Sequence, residues 1–162
     1  MNDEQLYGLA VEVGVALKAH ALTLATAESC TGGWIGEAVT SVPGSSAWYE
    51  RGFITYTNVA KHEMLGVALA TLQKFGAVSE ETVKAMAAGA LAHSHAQVAV
   101  AVSGVAGPAG GTPEKPVGLV CLAWAYGDDE PVAETAHFAG DREAVRQQAV
   151  ARALTGVLEI IS

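Results

Sequence analysis

The sequence has few cysteines, few basic residues and no long apolar segment, and each shortage excludes a class of protein. The 162 residues include only two cysteines, Cys30 and Cys121, which lie far apart, so neither a disulfide framework nor a cysteine metal site is expected. Lys and Arg total 9 against 17 Asp and Glu, which gives a formal net charge of −8. Binding to nucleic acid requires a basic surface. We therefore expect neither nucleic acid nor an anionic membrane as a partner.

No apolar run approaches the roughly 18 residues that a membrane span requires. The acidic N-terminus, MNDEQ, does not resemble a secretory signal. Together with unpaired cysteines, this favours a cytoplasmic location. Apolar residues make up 51% of the chain and charged residues 16%. This composition predicts one well-packed domain, residues 1–162, without an internal linker between domains.

The order of apolar and polar residues predicts alternating helices and strands. Helices are expected at residues 3–20, 32–40, 58–65, 79–91 and 141–161. Strands are expected at residues 22–27, 48–56, 97–102, 118–126 and 131–138, while residues 41–46 and 103–117 are predicted to be loops and residues 71–77 to be linker-like. The pattern predicts an α/β fold, a layered α/β/α arrangement whose mixed, mostly parallel sheet includes an antiparallel hairpin.

The segment TAESCTGG, residues 26–33, joins the first strand to a helix. Such a turn gathers polar side chains and free backbone N–H groups at one place. Ser29 is a candidate nucleophile there, with the N–H groups of residues 30–33 as candidate oxyanion donors, although the segment is not a G-x-S-x-G elbow. The alternatives are that Ser29 or Thr31 caps the helix and that Cys30 is the nucleophile or a buried packing residue.

A nucleophilic serine needs a base, and no histidine has an obvious acidic partner to orient it. Lys61 is the natural candidate, as in Ser-Lys variants of the triad, provided that burial makes its neutral form accessible near pH 7. Tyr56 precedes it at the end of a predicted strand and either relays a proton or holds the lysine. The alternative is a solvated lysine. His93 and His95 point in different directions on a helix, and we predict no metal site.

The loop at residues 103–117 is too long and too rich in glycine for a simple connection, although a mobile surface loop is the alternative. It matches neither G-x-x-x-x-G-K-[ST] nor G-x-G-x-x-G, so ATP and dinucleotides have no specific support. Arg142 and Arg146 begin the last helix, where the helix dipole favours acids. Their position suggests an anion bound between them, with pairing to surface acids as the alternative.

Four segments occur in an order that closely resembles the CinA C-terminal domain family, whose enzymatic members are nicotinamide-nucleotide amidases. They are TAESCTGG at 26–33, TYTN with the lysine at 55–61, SGVAGP through EKPVG at 103–118, and GDR with VR at 140–146. The resemblance covers essentially the whole chain. It implies that nicotinamide mononucleotide (NMN) is hydrolysed to nicotinic acid mononucleotide and ammonia by a Ser-Lys mechanism, without metal or cofactor, in pyridine-nucleotide salvage. It also predicts the stand-alone form.

By position, Ser29 matches the family nucleophile, Lys61 its base and Tyr56 the tyrosine beside that lysine. Ser103 stands where many members have threonine, and the serine side chain keeps the hydroxyl group. The role of Glu28 is open, since it either orients Lys61 or pairs with it. The residues expected to contact substrate are Glu28, Cys30, Thr31, Gly32, Gly33, Ser103, Gly104, Gly107, Arg142 and Arg146.

Two rival functions accompany this interpretation. One is a non-catalytic nucleotide-binding or regulatory module, related through the family name to competence or DNA damage. The other is an amidase for another small carboxamide. A homodimer is an expectation from base rates alone.

Overall fold

The computed structural model describes residues 1–162 and contains six α-helices and five strands. The helices are α1 (Asp3–Ala19), α2 (Trp34–Thr40), α3 (Asn58–Leu65), α4 (Leu69–Phe75), α5 (Glu80–Ala92) and α6 (Arg142–Ile161). The strands are β1 (Leu24–Glu28), β2 (Tyr49–Ile54), β3 (Val98–Gly104), β4 (Leu119–Tyr126) and β5 (Val132–His137).

The strands form one sheet in the order β2-β1-β3-β4-β5. Strand β1 pairs in parallel with both β2 and β3, whereas β4 runs antiparallel to β3 and β5. Four of the five strands therefore point in the same direction, and β4 alone is reversed. The predicted mixed, mostly parallel sheet with an antiparallel hairpin is confirmed.

Helices cover both faces of the sheet, and alternate residues of the central strand β3 pack into the core on each face. Val98, Val100 and Val102 point into a core shared with α1, α2 and α6. The alternate residues Ala99 and Ala101 face a second core formed with α3, α4 and α5. A strand buried on both faces has a continuous apolar sequence, which is why residues 98–102 lack a polar face. The predicted three-layer arrangement is confirmed.

The prediction that residues 71–77 are linker-like is wrong, because α4 occupies most of this stretch. The helix lacks a side-chain cap at Ala68 and buries only Leu72, so it has neither a start signal nor an amphipathic stripe. Gly76, with a φ of 80°, ends it. A seven-residue helix of this kind depends on tertiary contacts, which a sequence pattern does not reveal.

Two glycines in helices provide a matched test of packing against α5. A Cβ at Gly89 would overlap the Leu65 carbonyl oxygen of α3, whereas a Cβ at Gly8 on α1 would meet nothing within 4 Å. We expect Gly89→Ala to lower the free energy of unfolding by about 1–3 kcal/mol through overpacking. Gly8→Ala should raise it by about 0.5–1 kcal/mol through helix propensity. Urea denaturation of both variants measures this, and equal effects would contradict the close approach of α3 and α5.

Candidate active site

The parallel strands β1, β2 and β3 end at the same edge of the sheet, and the candidate residues follow these ends. Ser29 comes directly after β1, Tyr56 lies two residues past β2, and Ser103 is near the end of β3. Carboxyl ends of parallel strands are the usual place for a ligand site in α/β folds. A cavity of about 310 Å³ opens here, and its lining includes these residues with Cys30, Lys61, part of the 103–110 loop and Arg142.

Lys61 is buried against Ser29. Its Nζ lies 2.9 Å from Ser29 Oγ, 2.8 Å from the Thr55 carbonyl oxygen and 3.3 Å from the Tyr56 carbonyl oxygen. Only 1% of the residue is exposed, so the alternative of a solvated lysine is wrong. Burial lowers the pKa of Lys61 from 10.5 to about 8. In the neutral amine, the two carbonyls accept both N–H groups, and the lone pair then faces the Ser29 hydroxyl.

The local sequence explains how Lys61 reaches this position. The chain leaves β2 at Ile54, and Thr57 caps α3 by accepting a hydrogen bond from the Ala60 N–H. The tight passage from strand to helix turns the first turn of α3 back over the carbonyls of residues 55 and 56. A lysine at this point of the helix is thus directed inward instead of toward solvent.

Tyr56 contacts Lys61 through its main chain and not through its phenol. The residue is 59% exposed, and the phenolic oxygen accepts a hydrogen bond from Arg142 Nη2 at 3.2 Å. Arg142 Nη1 also donates to the Gly107 carbonyl at 2.8 Å. These contacts join the end of β2, the glycine loop and α6 at the rim of the cavity.

Glu28, whose role the sequence left open, neither orients Lys61 nor pairs with it. It is buried at the end of β1, and its carboxylate accepts hydrogen bonds at the start of α2. Its carboxylate accepts hydrogen bonds from Thr31 Oγ1 at 2.6 Å, Ile35 N at 2.9 Å, Gly36 N at 3.0 Å and Gly33 N at 3.3 Å. A buried carboxylate is stabilised by such donors, and the free N–H groups of a helix start need such an acceptor.

The backbone donors after Ser29 fall into two groups. The Gly32 N–H donates to the Ser29 carbonyl at 3.1 Å, and the Gly33 N–H donates to Glu28. The N–H groups of Cys30 and Thr31 donate to no acceptor in the protein, although both residues are buried. Buried N–H groups without a partner are rare and costly. The N–H groups of Cys30 and Thr31 are therefore the unpaired backbone donors that directly follow Ser29.

The glycines of this turn have a conformational role that explains their place in the sequence. Gly32 and Gly33 adopt φ values of 60° and 109°, in the left-handed region that other residues enter at a cost. Side chains at these positions would strain the passage from β1 into α2. Their N–H groups already donate to acceptors within the turn. Of the four expected oxyanion donors, residues 30–33, only Cys30 and Thr31 are therefore unpaired.

Cys30 is poorly suited to be the nucleophile. Burial raises the pKa of its thiol to about 11, and the thiolate is the reactive form. Lys61 Nζ forms its hydrogen bond with Ser29 Oγ and not with the sulfur. The electrostatics thus favour Ser29 over Cys30 as the group that reacts.

The start of the glycine loop completes the cavity wall. Ser103 is buried, yet its hydroxyl forms no hydrogen bond within the protein and is available to a ligand. At Gly104, a Cβ would lie 2.8 Å from Val120 Cγ2 and 3.2 Å from Cys30 Sγ, so only glycine fits between β4 and the turn. This packing explains why a glycine follows Ser103.

The two arginines of α6 donate to different parts of the chain, but both also line a second cavity of about 800 Å³ beside α2, so an anion bound between them stays a prediction. Arg146 donates from Nε to the Cys30 carbonyl and from Nη2 to the Thr31 carbonyl, both at 3.0 Å, and its guanidinium lies 5.6 Å from the Trp34 ring centre. Arg142 is exposed and lies at the cavity rim. The alternative of pairing with surface acids is wrong for both, because neither forms a salt bridge.

The structure has no group of three or more His, Cys, Asp or Glu residues placed to hold a metal ion. None of the six helices is both long and apolar enough to cross a membrane.

Comparison with known proteins places these residues in a family. The profile of the CinA C-terminal domain matches residues 6–161. The chain is 52% identical to a nicotinamide-nucleotide amidohydrolase PncC from Enterobacter agglomerans, over 98% of this chain and 96% of that protein. It is 55% identical to the protein of the same name from Pseudomonas putida, over 94% of each.

Solved structures agree with this relationship. A competence/damage inducible protein CihA from Agrobacterium tumefaciens superimposes with a TM-score of 0.95 at 44% identity, covering 100% of this chain and 98% of that one. A CinA superfamily protein from Klebsiella pneumoniae superimposes with a TM-score of 0.92 at 38% identity, covering 96% and 97%.

The buried amine provides a prediction that does not depend on any substrate. NMR titration of the Lys61 side chain should show a midpoint near pH 8, because burial penalises the ammonium form. The signal is assigned by its loss in Lys61→Met. A midpoint at the usual 10.5 would contradict the buried environment described here.

Proposed function

We propose that this chain, which belongs to the CinA C-terminal domain family, hydrolyses the carboxamide of NMN to nicotinic acid mononucleotide and ammonia. Relatives that share 52–55% of its residues over nearly their whole length bear the name nicotinamide-nucleotide amidohydrolase. The observation that carries the mechanism is the 2.9 Å contact between Lys61 Nζ and Ser29 Oγ, next to two unpaired N–H groups. Amide hydrolysis needs a nucleophile, a base and oxyanion donors in this arrangement.

In the first half-reaction, neutral Lys61 removes the proton of the Ser29 hydroxyl as Oγ attacks the carboxamide carbon. The carbonyl oxygen becomes an oxyanion, which the Cys30 and Thr31 N–H groups stabilise. The Lys61 ammonium then protonates the amide nitrogen, the C–N bond breaks, and ammonia leaves an acyl ester on Ser29. The proton taken from serine thus departs with the leaving group.

In the second half-reaction, Lys61 removes a proton from water as the water oxygen attacks the ester carbon. The tetrahedral intermediate occupies the same donors. Its collapse returns a proton from Lys61 to Ser29 Oγ and releases the carboxylic acid. The carbonyls of Thr55 and Tyr56 accept from Lys61 in both protonation states, so the amine keeps its position through the cycle.

The remaining site residues suit the rest of the substrate. Arg142 is exposed at the cavity rim and carries further N–H groups for the phosphate of NMN. The free Ser103 hydroxyl faces the same cavity and suits a polar group of the nicotinamide or ribose. Binding through glycine-loop backbone groups from residues 104–110 completes the proposed contacts. The proposal includes a role in pyridine-nucleotide salvage and a cytoplasmic setting.

Single substitutions test the assignment of nucleophile and base. Ser29→Ala and Lys61→Met should each lower ammonia release from NMN by at least about 10³-fold, because members of such a catalytic unit act together. Cys30→Ala should retain most of the activity. Each variant is assayed by coupled ammonia detection after its fold has been checked by circular dichroism. Activity that survives Ser29→Ala but is lost in Cys30→Ala would reverse the nucleophile assignment.

A substrate panel separates the proposed function from its rivals. Ammonia release should be fast with NMN and at background with glutamine and free nicotinamide. Hydrolysis of another carboxamide in preference to NMN would show an amidase of different specificity. Thermal stabilisation by NMN without ammonia release at any pH would indicate a non-catalytic nucleotide-binding module.

The pH dependence has a definite sign. Only the neutral amine accepts the serine proton, and the pKa of Lys61 is lowered to about 8. The value of kcat/KM for NMN should therefore increase about tenfold per pH unit below 8 and level off above it. A rate that falls as the pH rises from 6 to 8, measured as initial ammonia release, would exclude neutral Lys61 as the base.

A further inference from the structure

We propose that Arg146 is a positioning residue, which holds the peptide that carries the Thr31 N–H in the orientation that an oxyanion requires. The guanidinium reaches from α6 to the turn after β1 and donates to two consecutive carbonyls, Cys30 and Thr31, at 3.0 Å each. A planar arginine fork usually binds a carboxylate or a phosphate. Here it is directed at the main chain next to the proposed nucleophile.

Peptide planarity converts these contacts into control of the N–H groups. In a trans peptide, the C=O and N–H of one unit point in opposite directions. The Cys30 carbonyl belongs to the unit whose N–H is that of Thr31, so holding this oxygen on the Arg146 side directs the Thr31 N–H to the other side. The next unit behaves in the same way, because the Thr31 carbonyl faces Arg146 while the Gly32 N–H reaches the Ser29 carbonyl at 3.1 Å.

Arg146 is the sole donor to the Cys30 carbonyl in the protein. The N–H at the other end of the same peptide unit has no acceptor. By contrast, the Thr31 carbonyl also accepts from the Trp34 N–H, and the Gly32 and Gly33 N–H groups have acceptors of their own. The peptide unit that joins Cys30 to Thr31 is therefore the one in this turn whose carbonyl oxygen is held by Arg146 alone.

The surroundings of Arg146 suit this role. The side chain is half-buried beside the Trp34 ring and forms no salt bridge, so its charge is not neutralised by a carboxylate. A cation at a carbonyl oxygen polarises the peptide and strengthens its N–H as a donor. Arg142 has different partners, the Gly107 carbonyl and the Tyr56 phenol. Arg146 thus contacts the turn after Ser29, whereas Arg142 contacts the glycine loop and Tyr56, although both side chains border one cavity.

The experiment compares Arg146→Met, Arg146→Lys and a matched control, Arg152→Met. Arg152 lies on the same helix, with its guanidinium 5.1 Å from the Trp124 ring, but it pairs with Glu134 and Glu159. We expect Arg146→Met to lower kcat for NMN by about 10²–10³-fold, the effect of losing one oxyanion donor, with little change in KM. Arg146→Lys should recover part of kcat, since an ammonium can hold one carbonyl. Arg152→Met should leave kcat unchanged.

A second readout does not use NMN. An alkyl fluorophosphonate reacts with an activated serine, with fluoride as the leaving group, and its phosphoryl oxygen needs the same donors. Intact-mass spectrometry should show labelling of wild type at Ser29, and labelling of Arg146→Met slowed by a factor similar to that in kcat. The pH midpoint near 8 should persist in both proteins, because Arg146 does not contact Lys61.

The proposal rests on the amidase function, and different results would refute the function and the role of Arg146. Wild type that labels at Ser29 but releases no ammonia from NMN would refute the substrate and leave the role of Arg146 testable by labelling. A raised KM with unchanged kcat and unchanged labelling would make Arg146 a phosphate ligand and overturn the proposal. If Arg146→Met does not fold, Arg146→Lys decides: a lowered kcat and slowed labelling with little change in KM would support the proposal, and a raised KM with wild-type labelling would overturn it.

Discussion

The contact between Lys61 and Ser29 is the constraint on which the rest of the site depends. A lysine held 2.9 Å from a serine hydroxyl is a useful base only if its charge has been made unfavourable, and burial does this. Burial in turn needs acceptors for the amine's N–H groups, which the carbonyls of Thr55 and Tyr56 provide. These carbonyls are free to do so because the chain leaves the sheet after Ile54 and turns at once into α3.

The turn after β1 is fixed from two sides by groups of opposite charge. Glu28 accepts from the N–H groups at the start of α2, while Arg146 donates to the carbonyls of Cys30 and Thr31. Because the N–H and C=O groups of a peptide point in opposite directions, an acceptor on one side of the turn and a donor on the other can hold it together. What remains unpaired between them are two N–H groups beside Ser29.

Particular residues show how far sequence reasoning reaches. Alternating apolar runs and turn residues predicted the three layers and the hairpin, because these depend on local periodicity. The pairing of Ser29 with Lys61 was expected from their chemistry and from the family resemblance. Helix α4 was missed because it has no side-chain cap, and the bonds from the two arginines to backbone carbonyls more than 30 residues away could not be predicted. Every residue has a backbone carbonyl, so residue type does not indicate which carbonyl accepts a hydrogen bond from an arginine.

The sequence by itself determined the fold class, the family and the residues that carry the proposed chemistry, since each of these depends on side-chain identity and spacing. Tertiary structure alone decided how those residues are used. It showed that the Gly32 and Gly33 N–H groups already have acceptors, that Glu28 accepts from the start of α2, and that Arg142 and Arg146 donate to different carbonyls. The physical reason is that a hydrogen bond to the main chain depends on where the backbone points, and distant segments set that direction only when they pack together.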